Sequence, residues 1–249
     1  MVLTAKAPLP LCVISIAAFC LVAVNAWAGE LALRQIVDTL FKAAPGSHPD
    51  FSGKDLSFLD LSGLDFKRAK LAGANLLGAN LSGANLSYAG LAGAKLDRAQ
   101  VKRTNFAYAD LSGASLFHAV GSLSFDALDR NEPNFAAANL SSARIMAHLS
   151  RSNMRGANLA DARLGPPAPG NELKTPQQTD LSGAILAGAD LRRADMTRVN
   201  LTFADLTGAN LAGVNLEGAD LDGANLRGAS GLDRVRGWDK ALNREKIIH

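Results

Sequence analysis

From residue 51 onward, leucine or phenylalanine returns every fifth residue through most of the chain. The series Leu71, Leu76, Leu81, Leu86, Leu91 and Leu96 runs without a slip, and alanine stands two places before each member. A fixed short period decides architecture before any local propensity does. An α-helix turns about 100° per residue, so leucines five apart spiral around it and never form one apolar stripe. A straight strand fails as well, because side chains alternate with period two and an odd spacing flips each leucine to the opposite face. What remains is a chain that turns a corner once per repeat. Ala74 and Leu76 then share the inner face, Asn75 and Leu77 point out, and Gly78 takes the bend, where a missing Cβ removes the steric penalty. Repetition winds a solenoid with Leu and Ala inside.

Alanine suits the second inward place because a narrow core has room for one large side chain per repeat. A leucine there would overpack, at about 1–3 kcal/mol. Ala-Asn-Leu itself recurs at Ala74, Ala79, Ala84, Ala138, Ala157, Ala209 and Ala224. This resembles the pentapeptide-repeat family, whose motif is A(D/N)LXX, and the likeness covers most of the chain after residue 50. The resemblance implies an all-β solenoid: a right-handed quadrilateral β-helix with four pentapeptides per coil. Short capping helices are expected at both ends.

The N-terminus reads as a secretory signal over 1–28. Lys6 supplies the positive start, Leu9 to Val24 is apolar, and Ala26-Trp27-Ala28 is an A-x-A site that predicts cleavage between Ala28 and Gly29. The apolar run falls short of the roughly 20 residues that span a bilayer and contains Pro10. The alternative is an uncleaved N-terminal membrane anchor. Both cysteines, Cys12 and Cys20, lie inside the signal, so the mature chain would have no disulfide, thiolate metal site or Cys nucleophile. Export fits a periplasmic or secreted protein. The whole chain carries a net charge of +3. Lys6 is the only charge before Gly29, which leaves about +2 for the mature chain, too balanced to point to nucleic acid or a polybasic membrane patch.

Residues 29–46 carry Leu33, Ile36, Val37, Leu40 and Phe41 at helical spacing, closed by Pro45 and Gly46. This predicts an amphipathic helix covering the first open coil, since a bare solenoid end exposes core and strand edge. The repeats occupy 47–230. Phe66 and Phe106 replace leucine two coils apart, which places them on one side of the core. The pattern fails near 120–133, resumes at Phe135, Leu140 and Ile145, loses one residue before Leu149, and fails again near 165–178, where Pro166, Pro167, Pro169 and Pro176 exclude a ladder strand. About 31 repeats make just under eight coils, or about 35–40 Å of stack. In 231–249, Val235, Trp238 and Leu242 have helical spacing, and Gly237-Trp238-Asp239-Lys240-Ala241 resembles the tail that closes many members of the family. The expectation is one C-terminal cap helix with Trp238 as a plug over the last coil.

No catalytic, cofactor or metal set emerges. His48, His118, His148 and His249 fall in no metal-binding pattern. Asp and Glu recur before leucine, where the repeat explains them. The glycine-rich stretches lack the Lys-Ser/Thr ending of a phosphate cradle. The candidate interaction surface is Tyr88 with Tyr108, equivalent positions 20 residues apart, and two basic groups: Lys95, Arg98, Lys102 and Arg103, then Arg192, Arg193 and Arg198. For the basic groups the plainer reading is solvated charge partly neutralised by Asp97, Asp190 and Asp195. The breaks add Phe125, Leu128, Asp129, Arg130 and Glu132, then Glu172, Leu173 and Lys174, as loop candidates on a rigid wall.

The reading that follows is an exported, non-enzymatic scaffold for an unidentified protein partner, with no cofactor and no nucleic acid. Two alternatives stand beside it. Some members of the family protect gyrase by presenting an acidic, duplex-like rod, but the slightly basic charge and the signal both oppose that here. A hydrolytic loop site would need a nucleophile, base and oxyanion donor together, and only His118 offers a base. The resemblance also leaves open a homodimer through the C-terminal end.

Overall fold

Backbone hydrogen bonds link each repeat to the one 20 residues away. Asn75 N–H donates to the Lys54 carbonyl of the coil before (2.9 Å), and Leu76 N–H donates to the Lys95 carbonyl of the coil after (2.7 Å). Between strands the chain turns: Ala74 N–H donates back to the Leu71 carbonyl (3.0 Å) and Gly73 sits at φ +64°. An i to i+3 bond with the third residue left-handed is the geometry of a type II turn. Four such turns close one coil, and the result is a right-handed, four-sided β-helix.

The computed structural model describes residues 33–44, 46–121, 132–166 and 178–249. The predicted signal, most of both breaks, and the candidates Phe125, Leu128, Asp129, Arg130, Glu172, Leu173 and Lys174 lie outside them. The chain divides into two units, Met1–Lys42 and Ala43–His249. In the first, the predicted helix runs over 33–41; Ile36 is buried, whereas Val37 and Phe41 are exposed.

In the second unit each face is one parallel ladder. Face 1 runs through Asp50, Lys70, Gly90, Asp110, Asn139, Asn158, Asp190, Asn210 and Ser230. Faces 2, 3 and 4 begin at Asp55, Asp60 and Asp65. The ladders do not stop at the breaks: Asn105 pairs with Asn134 on face 4, and His148 pairs with Asp180 on face 3. The first break therefore leaves from the corner between faces 3 and 4, and the second from the corner between faces 2 and 3. The missing residue falls in β2 (Arg144–His148), which pairs in parallel with β1 (Ser115–Val120) and carries strand pairing around a corner that elsewhere is a turn.

The inward leucines and alanines are almost fully buried along the whole stack. Phe106 and Phe135 stack face to face at 4.9 Å between centroids, and Phe51 meets Phe66 edge-on at 5.7 Å. Buried polar residues take the inward alanine place at three points. Thr104 donates to the Leu81 carbonyl and Thr179 to that of Leu164 (2.6 Å), with the Ile145 carbonyl also near at 3.1 Å, while the Ser152 hydroxyl is buried with no partner among the described residues.

The C-terminal tail corrects two expectations. It is not one helix over 231–249 but three 3-10 helices, Leu232–Arg234, Trp238–Lys240 and Arg244–Lys246. Ser230, Arg236, Leu242 and Ile248 extend the four ladders, six residues apart instead of five. The tail is thus a ninth coil, where the five-residue count ends just short of eight. The extra residue of each unit is absorbed in a 3-10 turn. Gly231, Gly237 and Asn243 occupy the places that hold an inward apolar side chain, mostly leucine, in the coils below, all with left-handed φ. The last inward leucines, Leu211, Leu216, Leu221 and Leu226, stay buried. The coil above them has no inward leucine of its own to expose. Trp238 lies half-buried at a corner instead of plugging the core.

Candidate interaction surface

The acidic residues that recur before leucine have a structural task. In the corners that follow an Asp or Asn, the amide two residues on donates to its side-chain oxygen, as Ser57 N–H does to Asp55 (3.1 Å) and Leu77 N–H does to Asn75 (3.3 Å). An asparagine also donates through Nδ2 to the oxygen one coil earlier: Asn75 to Asp55, Asn80 to Asp60, Asn85 to Asp65. Face 4 carries the longest chain, from Asn153 through Asn134, Asn105 and Asn85 down to Asp65. An ionised carboxylate only accepts, so within such a segment Asp can stand only at the start, with Asn following. In the first coil Asp55, Asp60 and Asp65 hold that starting place, and Asp50 holds the same ladder position on face 1 beneath Lys70.

Such bonds hold the carboxyls of Asp50, Asp55 and Asp60 below their ordinary pKa of 3.8. For Asp55 and Asp60 the largest cause is the hydroxyl of Ser57 or Ser62, then the same residue's amide; for Asp50 the Ser52 amide leads. A folded value lowered in this way stabilises the corner above the unfolded pKa, and the contribution is lost as pH falls through the folded value. Carboxyl NMR titration is expected to give midpoints for Asp55 and Asp60 below 3.8, with the first coil loosening only beneath that range. Midpoints at or above it would show that the corner bonds do not persist in solution.

The outward corners carry the candidate side chains. Tyr88, Tyr108, Arg98, Arg103, Arg193 and Arg198 all occupy the left-handed place that glycine takes in about half of the corners, with φ between 52° and 61°. Tyr88 and Tyr108 stack at 4.8 Å with ring planes 6° apart, and the Arg68 guanidinium lies 5.7 Å from the Tyr88 ring centre. Both rings are about half exposed, at 49% and 57%. They form an aromatic column on the corner between faces 4 and 1.

The basic candidates separate. Lys95 lies on the face 2 ladder, Arg98 on the corner between faces 2 and 3, and Lys102 with Arg103 on the corner between faces 3 and 4. Arg192 and Arg193 stand on the corner between faces 1 and 2, where Arg192 pairs with Asp190 (2.6 Å) and Arg193 with Asp161. Asp195 bonds Thr197, and Arg198 sits across face 2 from the arginine pair. His118 is half-buried at a corner and His148 is exposed on face 3. Glu132, at the edge of the first break, pairs with Arg151 at 3.4 Å.

Two cations belong with Lys95 that the sequence pattern does not single out. Arg144 and Arg163 occupy the face 2 ladder directly above Ser115. Their signal is an arginine where Asn or Asp is usual, but stacking them on Lys95 requires carrying the register across a break and a missing residue.

Four parallel ladders, type II corners and a leucine-alanine core define a quadrilateral β-helix. The family model for pentapeptide repeats matches in 8 copies over residues 50–87, 84–120, 177–213 and 209–230, together just over half of the chain. The chain belongs to the pentapeptide-repeat family. Among solved structures it is similar to HetL, a pentapeptide repeat protein involved in heterocyst differentiation regulation from the cyanobacterium Nostoc, at 26% identity and TM-score 0.35, covering 82% of this chain and 90% of that one. It is similar to Rfr23 from the cyanobacterium Cyanothece at 27% identity and TM-score 0.45, over 53% and 90%. It is also similar to QnrB1, a plasmid-mediated fluoroquinolone resistance protein, at 16% identity and TM-score 0.41, over 76% and 88%. None of the curated proteins matches the chain.

Proposed function

We propose that this chain is an exported, non-enzymatic scaffold that holds a protein partner on the flat outer faces of its β-helix. The Tyr88–Tyr108 column carries the reading. Two tyrosines are kept half exposed and stacked in a backbone conformation that costs a non-glycine residue about 1 kcal/mol or more. Gly73, Gly78 and Gly83 at the other corners of the Tyr88 coil, and Gly93 in the Tyr108 coil, show that glycine serves the turn, so the rings are not needed to make the corner. Rigid, amphipathic aromatic surface is what protein interfaces use as anchors. The family is one of structural and interaction proteins, which agrees with this. The DNA-mimicking alternative asks for a continuous acidic rod, and face 2 instead presents Lys95, Arg144 and Arg163. Export rests on the N-terminal signal pattern alone.

A photo-crosslinking side chain at position 108, compared with one at Ser142 on the next corner, tests the reading in cells of the native host. The expected result is a discrete protein adduct from position 108, recovered with a chain that begins at Gly29. No adduct from either corner would remove the scaffold reading, and a chain retaining Met1 would remove export.

A further inference from the structure

Face 2 differs from the other three faces through its middle. Lys95, Ser115, Arg144 and Arg163 hold four successive rungs, flanked by Asn75 below and Asp195 above. Arg98 stands beside Lys95 on the adjoining corner. All four cations are exposed, and no carboxylate among the described residues pairs with any of them. The neighbouring acids are already engaged: Asp97 accepts from the Ser115 hydroxyl and the Phe117 amide, and Asp161 from Arg193. The Arg144 guanidinium is held over the Phe117 ring at 4.9 Å. Here β1 and β2 pair in parallel through the corner, with a register shift between Phe117 and Val120.

We propose that this patch docks an acidic α-helix of a partner protein, with its carboxylates against Lys95, Arg98, Arg144 and Arg163. The inference rests on the scaffold reading above and names the chemistry of the partner. Charge complementarity fixes the sign, since Arg presents a planar fork that fits carboxylates in pairs. Arginine over an aromatic ring is the composition of a protein interface core. A nucleic acid backbone fits less well. Asp97 and Asp195, whose hydrogen-bond partners are neutral, flank the patch, so a phosphate chain leaving it would meet negative charge, and the net charge of +3 supplies little long-range field. The spacing selects a helix. Rungs repeat at about 4.8 Å and helix turns at about 5.4 Å, so carboxylates at i, i+4, i+7 and i+11 stay nearly in step over three coils. Same-side residues of an extended strand are about 6.6 Å apart and fall out of step after one rung.

The test is fluorescence anisotropy of a labelled alanine-based helical peptide carrying glutamate at i, i+4, i+7 and i+11, titrated with the purified full chain. Binding is expected, weakened about tenfold or more by Arg144→Glu with Arg163→Glu and unaffected by Lys102→Glu with Arg103→Glu, an equal charge change on another corner. Far-UV circular dichroism checks the fold, and should the glutamate pair unfold, Arg144→Gln with Arg163→Gln is read in its place. Equal weakening by both pairs would reduce the effect to net charge and overturn the proposal. So would tighter binding of a single-stranded oligonucleotide or of anionic vesicles with the same residue dependence. Absence of peptide binding while the position 108 adduct persists would overturn this patch and leave the scaffold reading intact; loss of both would remove the two together.

Discussion

Replacing Phe135 with alanine is expected to cost about 3–5 kcal/mol and to open the solenoid where the chain re-enters after the first break. Phe135 is fully buried and stacks on Phe106 at 4.9 Å with planes 5° apart. Nine extra residues separate these rungs compared with a regular coil, since Asn105 pairs with Asn134 across 29 residues instead of 20. Loop closure makes that pairing entropically dearer than its neighbours, and the ring stack is the largest apolar contact that offsets it. In a solenoid each coil is held only by the coils beside it, so a cavity here separates the coils before the break from those after it. Guanidinium unfolding of Phe135→Ala should show a large midpoint shift, with the Asn134 amide, which donates to Thr104, among the first to exchange. Phe203→Ala is the control: that ring is 71% exposed on a corner and its loss should register near zero. A loss under about 1 kcal/mol at Phe135, or one no larger than at Phe203, would show that the break is held by something other than the stack.

Leu71 to Leu96 made the fold legible because a five-residue period admits one geometry, and the four ladders run on through both breaks, the missing residue and the six-residue tail. The tail was misread for a physical reason. Val235, Trp238 and Leu242 sit at helical spacing, but Gly231, Gly237 and Asn243 repeat every six residues in left-handed φ, and six fits a coil with one added turn residue. Two superimposed periods left the shorter one in view. The candidate surface was legible where the count is unbroken: Tyr88 and Tyr108 are one coil apart in a clean run and do stack. Arg192 and Arg193 proved to be neutralised by Asp190 and Asp161, and Asp161 lies on the far side of a break. Arg163 was hidden for the same reason, because its place above Arg144 depends on a register that the missing residue shifts.

Gly237→Ala separates two costs that glycine corners usually merge. A Cβ at Gly237 would come within 2.7 Å of the Glu217 amide nitrogen and 2.8 Å of its Cα, at φ +65°. Backbone on the coil below cannot swing aside, so overpacking adds to the left-handed penalty, for about 2–4 kcal/mol in all. Gly188 has the same handedness, φ +68°, and nothing within 4 Å, so Gly188→Ala should cost only the conformational part, about 1 kcal/mol. Gly223→Ala should fall close to Gly188→Ala, because its near contact is the exposed Phe203 ring, which can move away. The last coil has a neighbour on one side only and frays on its own, so the sensitive reading is local. The Arg236 and Leu242 amides, which donate to Val214 and Ala219 at 2.8 Å, should exchange at least about tenfold faster in Gly237→Ala and be unchanged in Gly188→Ala. Equal protection in the two variants would mean that the ninth coil does not close over Leu216 and Leu221 in solution, and the six-residue units would then be a loose tail instead of the cap that keeps the final leucines from water.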